Sequence, residues 1–502
     1  MSILGQDEEF MDNMKYATPD QLSDKVLSNA EKELNELQQQ KQQQLLDQNK
    51  QFLQTLFQDN STQPIKIRNV QLTNGGSFRN SFIESQFHPL LTGEVFPLHR
   101  YLSIIDNISK NLIKVGVVEN VLCNTHQVTS STSSPMIGFR CGLTTGTGAI
   151  HVVPIFNTIP IKRFFAKTGT NIGNGEGDGY IQFQLRNIFG GGENLVFDAV
   201  TGTKTSSSYL LNYNQPIFNN CNYIWENRLS LNTRNLDWIQ SKVHAKSLVN
   251  KIYTQFNDCK LNHEVILENS IRELDNYGSK SFQVLQQCGQ NVKSSIAYNI
   301  NYDTRDSKHL PFNGSYFQLG VEYNGLLKHN KNPFVKTATH MQHAWNLTAI
   351  NSHVLASTKF GLLYPLNGRS SILDKFFIGG PNDVRSFTLN GLGPKDQNSF
   401  IGGDMFLNGG VSLFTDVPRY KTSNFKFHNF LNWGKLVSLN HNGSLWSNVK
   451  QLSHSYCLSY GFGILYNHPM ARFELNFVLP IFANERDSIR KGIQYGIGVS
   501  FL

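Results

Sequence analysis

Few of the residues that could do covalent chemistry in this 502-residue chain are well arranged for it. His468 and Glu474 lie near each other, yet five residues intervene and the histidine precedes Pro469. The glycine-rich stretch from Gly173 to Gly179 reads as a hairpin turn with Asp178 exposed rather than as a phosphate cradle. No G-x-S-x-G, H-E-x-x-H or P-loop is present. The six cysteines (Cys123, Cys141, Cys221, Cys259, Cys288, Cys457) show no CxxC and no regular spacing. They read as mostly free thiols filling packed positions, with no disulfide framework or metal site. The expectation is therefore a protein that is not an enzyme and carries neither cofactor nor metal.

What the chain has instead is alternation. Tyr495, Ile497, Val499 and Phe501 alternate with Gln494, Gly496, Gly498 and Ser500, and only Leu502 follows. A terminal strand needs a partner, and a bare backbone edge invites aggregation unless the sheet closes on itself. The same period recurs at Ile296 to Tyr302, at Phe317 to Tyr323 and at Phe473 to Leu479. In the last run, Arg472, Glu474 and Asn476 take the opposite face from Phe473, Leu475 and Phe477, as in a barrel wall with a lipid side and a lumen side. A soluble β-sandwich would alternate as well.

Composition favours the membrane. Aromatic residues make up 12% and charged residues only 16%, with 35 Phe and 18 Tyr. No apolar run approaches the roughly 18 residues of a membrane-spanning helix, so an integral protein of this sequence is a barrel. Net charge +8 points to acidic lipid headgroups, and no basic run suggests nucleic acid. The acidic start, Met1 to Glu9, has neither a secretory signal nor an Arg-rich presequence, which argues against bacterial export.

Three regions follow. Residues 1–62 form a Gln-rich extension with apolar residues at helical spacing (Leu22, Val26, Ala30, Leu34, Leu37, then Leu45 to Phe57), read as a partly helical or disordered arm. Residues 63–160 read as a β-α-α-β-β unit: a strand over Ile65 to Leu72, helices from Phe82 to Leu91 and Leu98 to Leu112, and strands at Val117 to Val121 and Ala149 to Phe156. A Ser/Thr-rich loop spans Thr129 to Ser134. From Ile161 to Leu502 the chain is strand and turn, enough for about 16 strands at ~20 residues each. An even count brings both barrel ends to one side. The expected fold is mainly β: a 16-stranded transmembrane antiparallel barrel preceded by one small α+β domain.

Two segments are more particular. Tyr302 to Asp306 with Pro311 and Gly314, and Phe376 to Phe387 running on to Pro394, resemble the barrel-assembly and two-partner-secretion (bacterial surface antigen) superfamily. The second is similar to that superfamily's inward-folding sixth loop, here near 377–396, and contains Gly379, Gly380, Val384, Arg385, Ser386 and Phe387. Ser386 stands where the superfamily has glycine. Ala166 to Asn171, Gly402 to Asp404, His468 to Phe477 and Ile489 to Gly492 more closely resemble the fungal channel subunit of the mitochondrial sorting and assembly machinery. Residues 63–160 fit that family's single POTRA domain.

The resemblance implies an insertase of the mitochondrial outer membrane, with its POTRA domain in the intermembrane space. Its clients would be β-barrel precursors of porin and translocase-channel type. Its partners would be peripheral subunits on the cytosolic face and outer-membrane lipids. A lateral seam would lie between the first strand, at Lys167, Thr168, Gly169 and Thr170, and the last, at Gln494, Gly496, Gly498, Val499 and Phe501. The glycines agree, each weakening strand pairing by roughly 0.5 to 1 kcal/mol. Gln494, Gly496, Val499 and Phe501 also fit the family's β-signal.

Arg385, carried into a lumen by such a loop, needs a carboxylate or carbonyl partner, because an unpaired charge drawn from water costs several kcal/mol. Ser412 and Asn432 occupy the positions of the relatives' acidic partners, so Asp404 and Asp396 are the expected substitutes. A passive outer-membrane pore and a plastid outer-envelope import channel of the same superfamily remain alternatives at this stage.

Overall fold

The computed structural model describes residues 41–42, 44–127 and 149–498, apart from short stretches at 174–175, 258, 328–331, 348–350, 368–369, 418–423, 441–444, 453 and 469–471. The expected helix over Leu22 to Leu37, the loop from Thr129 to Ser134, Cys141, Val499 and Phe501 lie outside the described residues. Residues 44–59 are helical, and Leu45, Leu46, Phe52, Leu53, Leu56 and Phe57 are all exposed on that helix.

The chain divides into two compact units. The first takes Met1–Gln71, Pro89–Asp106 and Asn124–Ile155; the second takes Leu72–His88, Asn107–Cys123 and Phe156–Leu502. A small α+β region supplies five strands, β1 (Pro64–Ile67), β2 (Gln71–Thr73), β3 (Val95–Pro97), β4 (Val118–Gln127) and β5 (Ile150–Pro160), with helices α1 (Asn80–Leu91) and α2 (Leu98–Lys114). The sheet order is β2-β5-β1-β3, with β4 also on β5.

The single strand expected over Ile65 to Leu72 is split in two. Asn69 Oδ1 accepts the Val70 amide at 2.8 Å, a local turn that competes with the ladder. Three-residue β3 was not legible between two helices; it pairs antiparallel with β1 through Ile65 and Phe96. Helix α2 places Tyr101, Ile108 and Leu112 on its buried side, as their spacing predicts, and Gly116 follows its end at φ +75°. Five cysteines are free thiols, and burial pushes the Cys123 thiol up to about 11.

The barrel has sixteen strands among the described residues, each paired antiparallel with its sequence neighbour. The first is Phe164–Gly173, which contains the expected Lys167 to Thr170, and the last is Gly492–Gly498. The fifteenth, Arg472–Phe482, shows what solvent the wall is built for. Phe473, Leu475, Phe477 and Leu479 are exposed, while Arg472, Glu474, Asn476 and Val478 are buried. A water-soluble sandwich would bury the phenylalanines. Apolar side chains outward and polar ones inward is the pattern of a wall facing lipid.

The junction of the first and last strands differs from the rest of the wall. Cα atoms of the first and last strands come within 8 Å of each other, yet no hydrogen-bonded pairing joins them among the described residues. Every other neighbouring pair in the sheet is laddered. No described helix is long and apolar enough to cross a membrane.

Candidate functional site

The segment 366–404 joins the eleventh strand, Ser352–Pro365, to the twelfth, Met405–Asp416. Its base is held by Asp374, whose carboxylate takes both guanidinium nitrogens of Arg272 at 2.6 and 2.9 Å. Arg272 belongs to the seventh strand, Leu261–Asn276. Lys336 donates to the Asp374 carbonyl oxygen at 2.7 Å. Two charge-assisted contacts thus fix where the segment leaves the wall.

Further along, Gly379 and Gly380 turn the chain at φ +109° and +129°, and Asp383 Oδ2 accepts the Gly379 amide at 3.0 Å. A Cβ on Gly379 would sit 3.0 Å from the Thr388 carbonyl oxygen, so both the angle and the close approach require glycine. Ile378, Val384, Phe387 and Leu392 pack with Phe406, Leu436 and Cys457 in one apolar cluster. Val384 and Phe387 therefore anchor the tip, and Arg385 between them points the other way.

Arg385 is 1% exposed. Its Nη2 donates to Glu474 Oε2 at 2.8 Å, its Nη1 to Asn432 Oδ1 at 3.1 Å, and its guanidinium lies 4.5 Å over the Phe430 ring. Glu474 also pairs with Arg472 and accepts from Asn476 Nδ2 at 2.7 Å. His428 bridges Asn476 Oδ1 and Ser412 Oγ at 3.2 and 3.1 Å.

Strand geometry explains the convergence. Arg472, Glu474 and Asn476 alternate along one face of the fifteenth strand, as His428, Phe430 and Asn432 do on the thirteenth, Phe425–Val437. The result is a buried carboxylate shared by two guanidiniums.

The expected partners of Arg385 are thereby corrected. Asp404 instead accepts from Ser370 Oγ at 2.8 Å and from the Leu439 amide at 3.1 Å, with Lys375 at 3.7 Å. Asp396 accepts from Ser281 Oγ at 2.5 Å. Both aspartates follow the tip closely in sequence, but the loop runs back toward its exit before reaching them. Asn432 does contact Arg385, and Ser412 reaches His428 instead. Glu474 was legible as a lumen-facing carboxylate in an apolar run; its partner was not, because the two residues lie 89 positions apart.

Ser386 takes φ +72° and is fully buried, and among the described residues its hydroxyl has no hydrogen-bond partner. A side chain thus stands where the backbone favours glycine. Ser386→Gly should stabilise the folded barrel by about 1 kcal/mol, relief of left-handed strain outweighing the added freedom of the unfolded chain. The check is thermal unfolding in detergent, where a lowered midpoint would show that the hydroxyl contributes.

The tip also binds the turn before the last strand. Thr388 N donates to Ser488 O at 3.0 Å, Ser488 N to Gly391 O at 2.9 Å, and Arg490 N to Ser386 O at 2.8 Å. Gln494 Oε1 accepts the Ser386 amide at 3.4 Å, while Gln494 Nε2 donates to Arg490 O at 3.0 Å. The structure therefore brings Ser386 and Gln494 together.

On the first strand, Thr168 Oγ1 donates to Tyr180 O at 3.0 Å, Lys167 lies 5.5 Å over the Tyr180 ring, and a Cβ on Gly169 would meet the Tyr180 hydroxyl at 2.8 Å. Thr170 pairs with Gly179. Gly496 faces Glu474 in the ladder and Gly498 faces Arg472.

A lipid-facing barrel with a loop latched inside it by a buried arginine defines an outer-membrane-type barrel whose lumen is occupied by its own chain. Residues 187–501 match the Omp85 superfamily domain. The chain is 32% identical to the sorting assembly machinery 50 kDa subunit of Saccharomyces cerevisiae, over 70% of this chain and 78% of that one. It is 29% identical to a SAM50-like protein of Schizosaccharomyces pombe, over 90% and 94%. Among solved structures, BamA from Haemophilus ducreyi lacking POTRA domains 1-3 superposes with a TM-score of 0.67 at 14% identity, covering 86% of this chain and 84% of that one; the likeness is one of fold. The chain belongs to the Omp85 superfamily and, within it, to the Sam50 channel subunits of the sorting and assembly machinery.

Proposed function

We propose that this protein folds β-barrel precursors into the mitochondrial outer membrane by admitting their strands at the junction of its own first and last strands. The observation that carries the reading is that, among the described residues, no ladder joins Phe164–Gly173 to Gly492–Gly498, while all other neighbours in the sheet are paired. Unpaired backbone groups in a membrane cost several kcal/mol each, so an edge left open there is a template for an incoming strand.

Exchange of hydrogen bonds along that edge does the work, with no covalent step, cofactor or metal. The latched loop holds the last strand's leading turn while the first strand accepts the client. Residues 63–160 serve as the single POTRA domain in the intermembrane space, and residues 1–62 lie outside it. The clients are precursors of porin and translocase-channel type, and peripheral subunits of the machinery bind the cytosolic face.

Cysteines at Thr168 or Thr170 and along the terminal strand of an arrested client test the reading by crosslinking. Disulfides should form in a regular register and should compete with crosslinks between the first strand and Ser500. A client that assembles without ever crosslinking to the first strand overturns it.

A further inference from the structure

The outward face of the barrel carries a groove of about 780 Å³ across the third to eighth strands. Strand register orders it into rows. Ser207, Thr233, His244, Glu273 and Gln290 stand in one row, all polar. The next row reads Tyr209, Leu231, Lys246, Ile271 and Val292, and the one beyond it Phe197, Leu211, Leu229, Leu248, Asn269 and Ser294. Two rows further on stand Trp225, Ile252, Val265 and Tyr298. Tyrosine near one margin and Trp225 with Tyr298 near the other mark the two girdles of a lipid-facing belt, with the polar row outside it.

Lys246 therefore sits at the boundary where headgroups begin, facing outward and exposed. Among the described residues it makes no hydrogen bond or ion pair. One row deeper, Asn269 accepts from Ser294 Oγ at 2.6 Å, giving the groove a polar floor on one side. Apart from Tyr209, Ser230, Ser247 and Ser270, the rest of its lining is leucine, isoleucine, valine and phenylalanine. The hairpin above Lys246 is at the same end of the barrel as the long loop, since the Phe400 amide donates to the Trp238 carbonyl at 2.8 Å.

We propose that this groove holds one glycerophospholipid with a net-negative headgroup, its phosphate on Lys246 and an acyl chain along Leu229, Leu231, Leu248 and Ile271. A cation at the headgroup level that faces lipid and lacks a protein partner is complementary to an anionic headgroup. The concave apolar strip below it fits a chain better than a flat wall would. A client strand does not fit there, because the third to eighth strands are laddered on both sides and offer no free edge. The inference goes beyond strand insertion and does not depend on it.

The test is native mass spectrometry of the full-length protein released from phosphatidylcholine nanodiscs doped with phosphatidylinositol. The wild type should retain phosphatidylinositol in preference to phosphatidylcholine. Lys246→Gln should cut that retention about fivefold, while Lys246→Arg preserves it. Leu229→Trp, which fills the groove, should lose both lipids. Equal retention by Lys246→Gln and wild type, or adducts unchanged in a folded Leu229→Trp, overturns the proposal; the conservative pair at Lys246 decides it should the tryptophan variant not fold.

Discussion

Glu474→Ala should destabilise the barrel by about 3–5 kcal/mol, more than any other single substitution in the lumen. The carboxylate is fully buried and is shared by Arg385 and Arg472, so its loss leaves two guanidiniums facing each other without an anion. Removing Arg385 is different in kind. In Arg385→Ala the Arg472 pair with Glu474 survives, so the wall keeps its charge balance while the loop tip loses its latch.

The two variants should therefore separate two properties. Glu474→Ala should fall apart in semi-native electrophoresis at a much lower temperature than wild type. Arg385→Ala should stay closer to wild type in that assay but lose client assembly, along with part of its own. Neutralising both sides at once, as Arg385→Met with Glu474→Gln, should be milder than Glu474→Ala, because only one uncompensated guanidinium remains. Normal client assembly by Arg385→Ala would remove the latch from the mechanism, and a Glu474→Ala barrel as heat-resistant as wild type would show that the carboxylate carries no structural charge.

The parts of this architecture that local pattern determines are legible in the sequence. Period-two alternation marked Ile296 to Tyr302 and Phe473 to Leu479 as strands, because every second side chain must face one medium. It could not say which medium. The exposure of Phe473, Leu475 and Phe477 beside buried Glu474 settles that. Helical spacing located α2 within two residues at each end.

What the sequence left open is long-range or short. Strand β3 has only three residues and exists because β1 offers it an edge. Arg385 was recognisable as a charge in need of a partner, yet Glu474 arrives from another strand through barrel curvature that no local spacing encodes. Asp374 with Arg272, 102 residues apart, was missed for the same reason. The proximity of Asp404 and Asp396 in sequence was a poor guide, since a loop that enters a lumen must also leave it.

A disulfide across the seam should abolish client insertion and release it on reduction. The first and last strands already have Cα atoms within 8 Å of each other, so a modest backbone approach brings cysteines across the junction to disulfide range. Cysteine at Thr168 or Thr170 can be paired with cysteine at Gly496 or Gly498, with exposed Cys259 and Cys288 replaced by serine to prevent stray oxidation. Two strands that share no ladder among the described residues part at little cost, whereas a covalent bond makes parting impossible at any client concentration. The oxidised variant should thus behave as a folded but inert barrel. Its thermal stability should rise rather than fall, which distinguishes stapling from misfolding. The reduced form supplies the control within the same molecule. Were the oxidised form to insert clients at the wild-type rate, strand entry at this junction would be ruled out.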